Sequence, residues 1–188
     1  MQYAEANQRI HEFRKEITDL RKKIRSLQSD HAPEPVQDYE FATSDGGVLL
    51  SELFGDKDTL FVIHNMGASC PSCTLWADGF NGVIDHLEDR AAFVVSSPDL
   101  PDQQKKFAAS RNWRFRMISH ANTSFADDMG YKWESGWGPG VSVFKKSEDG
   151  LVRVADADFD AGDDFCAVWH LMDLIPEGSA GWEPKYSY

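Results

Sequence analysis

Long apolar runs are missing from this chain. None approaches the roughly 20 residues that a bilayer-spanning helix needs. The opening residues, Met1-Gln2-Tyr3-Ala4-Glu5, also lack the basic and then apolar regions of a secretory leader, so a cytoplasmic protein is expected. Positive charge is scarce. The 188 residues hold 19 Lys and Arg against 31 Asp and Glu, a formal net charge of −12. Nucleic acid and anionic membrane surfaces need clustered cations, so neither is expected as a partner; the acidity reads as solubility. With three cysteines there are too few for a disulfide-stapled framework. No Gly-x-Gly-x-x-Gly fingerprint is present, so flavin and nicotinamide are not expected and no cofactor is assigned. No second Cys-x-x-Cys and no His-x-x-His completes four zinc ligands. Asp156, Asp158, Asp160, Asp163 and Asp164 lack the Gly and terminal Glu of a calcium loop, which leaves no metal site. Internal repeats and low-complexity tracts are absent as well.

What remains is a chain that is 41% hydrophobic and 27% charged, the balance of a globular domain with room for appendages. Ile10, Phe13, Ile17, Leu20, Ile24 and Leu27 alternate three- and four-residue steps and fall on one helical stripe. Residues 1–30 therefore read as a long amphipathic helix. It either packs on its own body or forms a homodimer arm through residues 4–28. His31-Ala32-Pro33-Glu34-Pro35 stops that helix, and residues 31–36 read as a linker. A domain over 37–176 and a tail over 177–188 follow.

Within the domain, Tyr39–Thr43 and Val48–Leu50 read as strands around the turn Asp45-Gly46-Gly47. Strand Leu60–His64 leads to a helix running from Cys70 to about Leu87. Ala91–Ser96 is a buried strand, Asp102–Asn112 a helix and Met117–Ser119 a short strand. Residues 120–138 read as irregular. Val141–Phe144 and Leu151–Val154 form a hairpin, and Asp163–Ile175 a closing helix stopped by Pro176. Alternating strands and helices followed by an antiparallel hairpin indicate an α/β fold with a mixed sheet.

Cys70-Pro71-Ser72-Cys73 is the segment that carries chemistry. Two thiols at the start of a helix meet unpaired N–H groups and a partial positive charge, which favours the thiolate. Cys70 is therefore the expected nucleophile and Cys73, one turn further in, the resolving thiol. Pro71 stiffens the helix start. His64, at the end of the preceding strand, and Asp78, further along the helix, are candidates for proton transfer. Trp76 lies on the apolar face with Phe80 and Val83, and with Trp133 or Trp137 is a candidate wall of the dithiol pocket. Cys166 adjoins Phe165 on the last helix and reads as core.

Strand Leu60–His64, the dithiol helix, and Gly138-Pro139-Gly140 before strand Val141–Phe144 resemble the landmarks of the thioredoxin fold in order. The N-terminal hairpin with Leu53-Phe54-Gly55 resembles the peroxiredoxin-type elaboration of that fold. Cys70–Cys73 with Trp76-Ala77-Asp78-Gly79-Phe80-Asn81-Gly82 and Pro139–Phe144 is most similar to a bacterial thioredoxin-like family of predicted dithiol-disulfide oxidoreductases. The resemblance covers roughly residues 36–175, and a helix N-terminal to that span is also typical of the family. It implies a mixed central sheet flanked by helices, with a cis Pro139 across from Cys70. Gly138, Pro139, Pro71, Ser72 and Trp76 would then bound the substrate. The implied activity is thiol–disulfide exchange with a protein or small-molecule disulfide, the electrons coming from an unidentified thiol donor. A thiol peroxidase with Cys70 as the attacking cysteine, and a non-enzymatic interaction protein built on the fold, are the alternatives. Ser69 stands where thioredoxin has Trp, and the stretch from Cys73 to Pro139 is longer, so thioredoxin's substrates do not transfer.

Overall fold

The computed structural model describes residues 1–188, which divide into two units, 1–33 and 34–188. The first unit is helix α1, Tyr3–Asp30, unbroken because neither Gly nor Pro interrupts it. His31 is extended and ends it two residues before Pro33. None of its residues is buried. The stripe from Ile10 to Leu27 is 45–70% exposed. No helix of the chain is long and apolar enough to cross a membrane.

The second unit opens with strand β1, Glu34–Val36. These residues read as linker in the sequence, yet they pair antiparallel with 151–153, and Arg153 donates to Glu34 at 2.8 Å. Strands β2 (Glu40–Thr43) and β3 (Gly46–Leu49) form a hairpin, followed by a 3-10 turn over Leu50–Phe54. Strand β4 (Thr59–His64) leads to helices α2 (Pro71–Gly82) and α3 (Ile84–Arg90). The sequence predicts one helix here. Gly82 and β-branched Val83 are poor helix formers, and the Val83 N–H turns to the Phe80 carbonyl at 3.0 Å, which closes α2 early. Then come β5 (Ala92–Ser97), α4 (Pro101–Arg111), β6 (Arg116–Ser119) and the short α5 (Phe125–Asp128). A small hairpin of β7 (Lys132–Trp133) and β8 (Gly136–Trp137) occupies the segment that reads as irregular. Strands β9 (Gly140–Ser147) and β10 (Gly150–Asp158) precede α6 (Ala167–Met172). Helix α6 is shorter than its apolar pattern because the Asp163 carboxylate takes the N–H groups of Phe165 and Cys166 at 2.9 and 3.1 Å. That local turn competes with helix.

The eight-stranded sheet runs β1-β10-β9-β4-β5-β6-β2-β3. Strands β4, β5 and β6 are parallel; the remaining pairs are antiparallel. The fold is therefore α/β with a mixed sheet, as the strand–helix alternation predicts. Strand β4 is apolar from Leu60 to Ile63 because both its faces are covered. Leu60 and Val62 enter a core with Phe41, Phe54, Phe125 and Phe144. Ile63 enters the other with Cys70, Cys73, Trp76, Phe93 and Trp169. Period-two alternation thus places His64 with Leu60 and Val62, away from the two thiols.

Candidate active site: a dithiol at a helix tip

Cys70 is the N-cap of α2, and its sulfur accepts the Cys73 N–H at 3.0 Å. Pro71 sits in the first turn, where a missing N–H costs nothing. Thr74 closes the turn by donating its hydroxyl to the Cys70 carbonyl at 3.0 Å. Both thiols are free and buried. Cys70 is lowered to about 7, first by the thiol of Cys73 donating to it, then by the backbone N–H groups of Cys73 and Ser72, against the opposing effect of burial. Cys73 moves the opposite way, raised by holding its proton toward Cys70, by burial and by the Cys70 charge. The two sulfurs are thus pushed apart in acidity by one shared proton and unequal access to backbone donors.

The preceding loop is held from three directions. Asn65 accepts the Gly67 N–H at 2.8 Å, and Asp99 beyond β5 accepts the Ala68 N–H at 2.8 Å. Gly67 adopts a positive φ of 100°, and a Cβ there would strike the Asp99 carboxylate, so only glycine fits this approach. From the chain's far end, Tyr186 donates its hydroxyl to the Ala68 carbonyl at 3.0 Å, while Arg111 grips the Tyr186 carbonyl at 2.6 Å. The Tyr186 phenol is raised first by burial and then by the charges of Cys70 and Cys73. Asn65, Asp99 and Tyr186 escape sequence reading. A polar residue just beyond each of the two buried strands was the available hint for the first two; nothing in the tail marks Tyr186.

Two cavities adjoin the dithiol turn. One, of about 540 Å³, lies between Pro71-Ser72 and the segment carrying Trp169 and Trp182. The other, of about 450 Å³, lies among Ser72, Met66, Trp76, Trp133 and Pro139. Ser72 lines both cavities, Pro71 the first, and Trp76 and Pro139 the second. Pro139 immediately precedes β9, whose first residue, Gly140, pairs with His64. Every peptide bond is trans, so the cis bond implied for Pro139 by the resemblance is not found. Gly138 is packed under the Trp133 ring, where a Cβ would collide. Trp137 instead packs edge-on to His120 at 4.7 Å. Cys166 is buried in the same core as the dithiol, and burial raises its thiol.

The two proton-transfer candidates lie elsewhere. His64 bonds through Nε2 to the Ser142 hydroxyl at 2.9 Å and stacks on Tyr131 at 3.7 Å on the opposite face of the sheet. Burial holds it neutral, well below the usual histidine range. Asp78 is engaged by the Arg111 guanidinium and accepts the Trp113 indole N–H at 2.8 Å. It fastens α2 to α4, and through Arg111 it anchors the tail.

A family described as bacterial proteins of unknown function (DUF899) matches residues 2–187. The chain belongs to that family. No curated protein matches it in sequence. Among solved structures, a cysteine-to-serine variant of PrxQ from Xylella fastidiosa is similar at 12% identity and a TM-score of 0.59, covering 68% of this chain and 85% of that one. Reduced Prx3 from Vibrio vulnificus is similar at 14% identity and a TM-score of 0.58, covering 71% and 90%. Peroxidoxin BcpB from Mycobacterium tuberculosis is similar at 25% identity and a TM-score of 0.56, covering 67% and 84%. This DUF899 chain thus has the thioredoxin-like fold in its peroxiredoxin-type form.

Proposed function

We propose that the chain is a thiol–disulfide oxidoreductase cycling Cys70 and Cys73. The observation that carries this reading is the 3.0 Å bond from the Cys73 N–H to the Cys70 sulfur, with Cys70 lowered to about 7. One sulfur is ionised near neutrality while its neighbour keeps a proton. The Cys70 thiolate attacks one sulfur of a disulfide; that S–S bond breaks, and the departing thiolate takes a proton from water. A mixed disulfide remains on Cys70. Its formation removes the Cys70 charge and the hydrogen bond that raise Cys73, leaving burial as the main brake on the second thiol. Cys73 then loses its proton and attacks the Cys70 sulfur, which releases the second thiol. The protein has given up two electrons and is restored by an external dithiol.

The test is reduction of insulin or a small disulfide with a regenerating dithiol. Turnover is expected for the intact chain and loss of it for Cys70→Ser; normal turnover in that variant would overturn the assignment.

The peroxiredoxin-type fold favours a second reading, thiol peroxidase. A structure of the bacterioferritin comigratory protein from Xanthomonas campestris, 17% identical, is described in terms of alkyl peroxide reduction. Here Ile63 and Gly67 stand where the Pro-x-x-x-Thr-x-x-Cys approach to a peroxide has Pro and Thr, which weighs against it. Stopped-flow consumption of a hydroperoxide faster than by a free thiol would favour this second reading.

A further inference from the structure

Both cavities beside the dithiol turn carry one sign of charge. Asp173 and Glu183 line the first, together with Trp169 and Trp182. Asp158 and Asp160 line the second, together with Trp76 and Trp133. No Lys or Arg lines either one, and none of the four carboxylates is in an ion pair. The cavities share Ser72, Ala161 and Trp169, so together they flank the residue next to Cys73 in the dithiol turn. Four of the chain's six tryptophans stand on these walls. Indole rings and carboxylates free of ion pairs on both sides of one turn select for a cation. The shared wall also carries an unmet demand: the Trp169 indole N–H is buried without an acceptor, in a side chain only 7% exposed. A buried donor left unpaired is costly, and a small shift of the indole toward the cavity would open it to a ligand's carbonyl.

We infer that the disulfide reduced here is positively charged, with ammonium or guanidinium groups a few bonds from its sulfurs. A cystine flanked by basic residues in a peptide fits best, because it also supplies a carbonyl for Trp169. This rests on the thiol–disulfide reading above and adds the class of substrate. In a single turnover, the reduced protein gives two electrons to the disulfide, yielding two thiols and the Cys70–Cys73 disulfide.

Three small disulfides of similar length vary the charge: cystamine (two ammonium groups), hydroxyethyl disulfide (neutral) and dithiodiglycolate (two carboxylates). Each rate is taken relative to that with free dithiothreitol, to remove the difference in leaving-thiol acidity. Mixed with the reduced chain at low ionic strength, cystamine is expected to react about tenfold or more faster than dithiodiglycolate, with the gap closing as salt rises. The triple variant Asp160→Asn, Asp173→Asn, Glu183→Gln should bring cystamine down to the neutral rate and leave hydroxyethyl disulfide unchanged. A charge-matched control away from the cavities, Asp45→Asn, Glu148→Gln, Asp149→Asn, should keep the cystamine advantage. Cystamine no faster than hydroxyethyl disulfide, or equal loss in the control, would overturn the inference. Binding is read separately with 1,6-diaminohexane, which replaces both sulfurs of cystamine by methylenes, through salt-dependent quenching of tryptophan fluorescence. Quenching without reaction of any disulfide would retain the cation site and overturn the oxidoreductase reading. Absence of quenching would overturn the cation site itself.

Discussion

Tyr186 donates its hydroxyl to the carbonyl of Ala68 at 3.0 Å, across 118 positions of sequence. The bond ties the C-terminal segment to the loop that delivers Cys70, and Phe107 supports the phenol edge-on at 6.2 Å. Cys70 itself keeps 8% of its surface. Removing residues 185–188 is expected to speed alkylation of Cys70 at fixed pH by roughly threefold or more, since thiol reactivity follows access as well as ionisation. Tyr186→Phe keeps the ring and loses the bond, so a smaller increase is expected. Mass spectrometry of the carboxamidomethylated peptide checks both, and unchanged rates would show that the tail does not limit access.

Acidity of Cys70 is expected to follow its hydrogen bonds. Iodoacetamide alkylation should rise with pH through an inflection near 7, as the thiol becomes thiolate. The Cys73 thiol is the largest cause of that lowering. Cys73→Ala should therefore move the inflection upward, while Cys73→Ser, which keeps an O–H donor, should move it less. Profiles of both variants that match the unaltered chain would assign the lowering to the helix backbone alone.

Two buried histidines make the fold acid-sensitive. His120 is 2% exposed, donates to or accepts from the Ser96 hydroxyl at 2.8 Å, and is lowered to about 4 by burial. His64 is lowered in the same direction. Unfolded histidine titrates near 6.5, so the unfolded chain binds protons first as pH falls. Stability should be fully present above that value and drain away between about 6.5 and 4, with His120 alone costing about 3 kcal/mol at the low end. Urea unfolding across that range measures the loss, and His120→Gln should flatten the slope.

Gly140 opens β9 at its pairing with His64, and a Cβ there would strike both the Tyr131 ring and the Ala157 carbonyl. That carbonyl is backbone of the neighbouring strand and also accepts the Tyr131 hydroxyl at 3.2 Å. Gly140→Ala is therefore expected to destabilise the chain by about 2–3 kcal/mol, the usual scale of overpacking. A chemical-denaturation midpoint close to that of the unaltered chain would show that the strands give way cheaply.

The dithiol was legible because its causes are local. Pro71 after Cys70, an apolar strand before it and helical spacing after it fix a helix tip within twenty residues of chain, and that tip orients the N–H groups that ionise Cys70. The mixed sheet was legible for a related reason, since buried parallel strands must be apolar on both sides. Residues 34–36 were not. Glu34-Pro35-Val36 has the composition of a linker and becomes strand only because β10 presents an unpaired edge to it.

Sequence alone thus determined that one thiol would stand where a helix begins, with a second thiol one turn behind it. Tertiary structure decided what surrounds that pair. His64 and Ile63, neighbours in the chain, point to opposite faces of the sheet, and the crossover that lays α2 on the Ile63 face leaves His64 away from the thiols. Asp99 and Tyr186 reach the Cys70 loop from distant segments, and the acidic, tryptophan-lined cavities gather residues 66 to 184. Such encounters depend on chain closure over long separations, which only the packed sheet and its helices select.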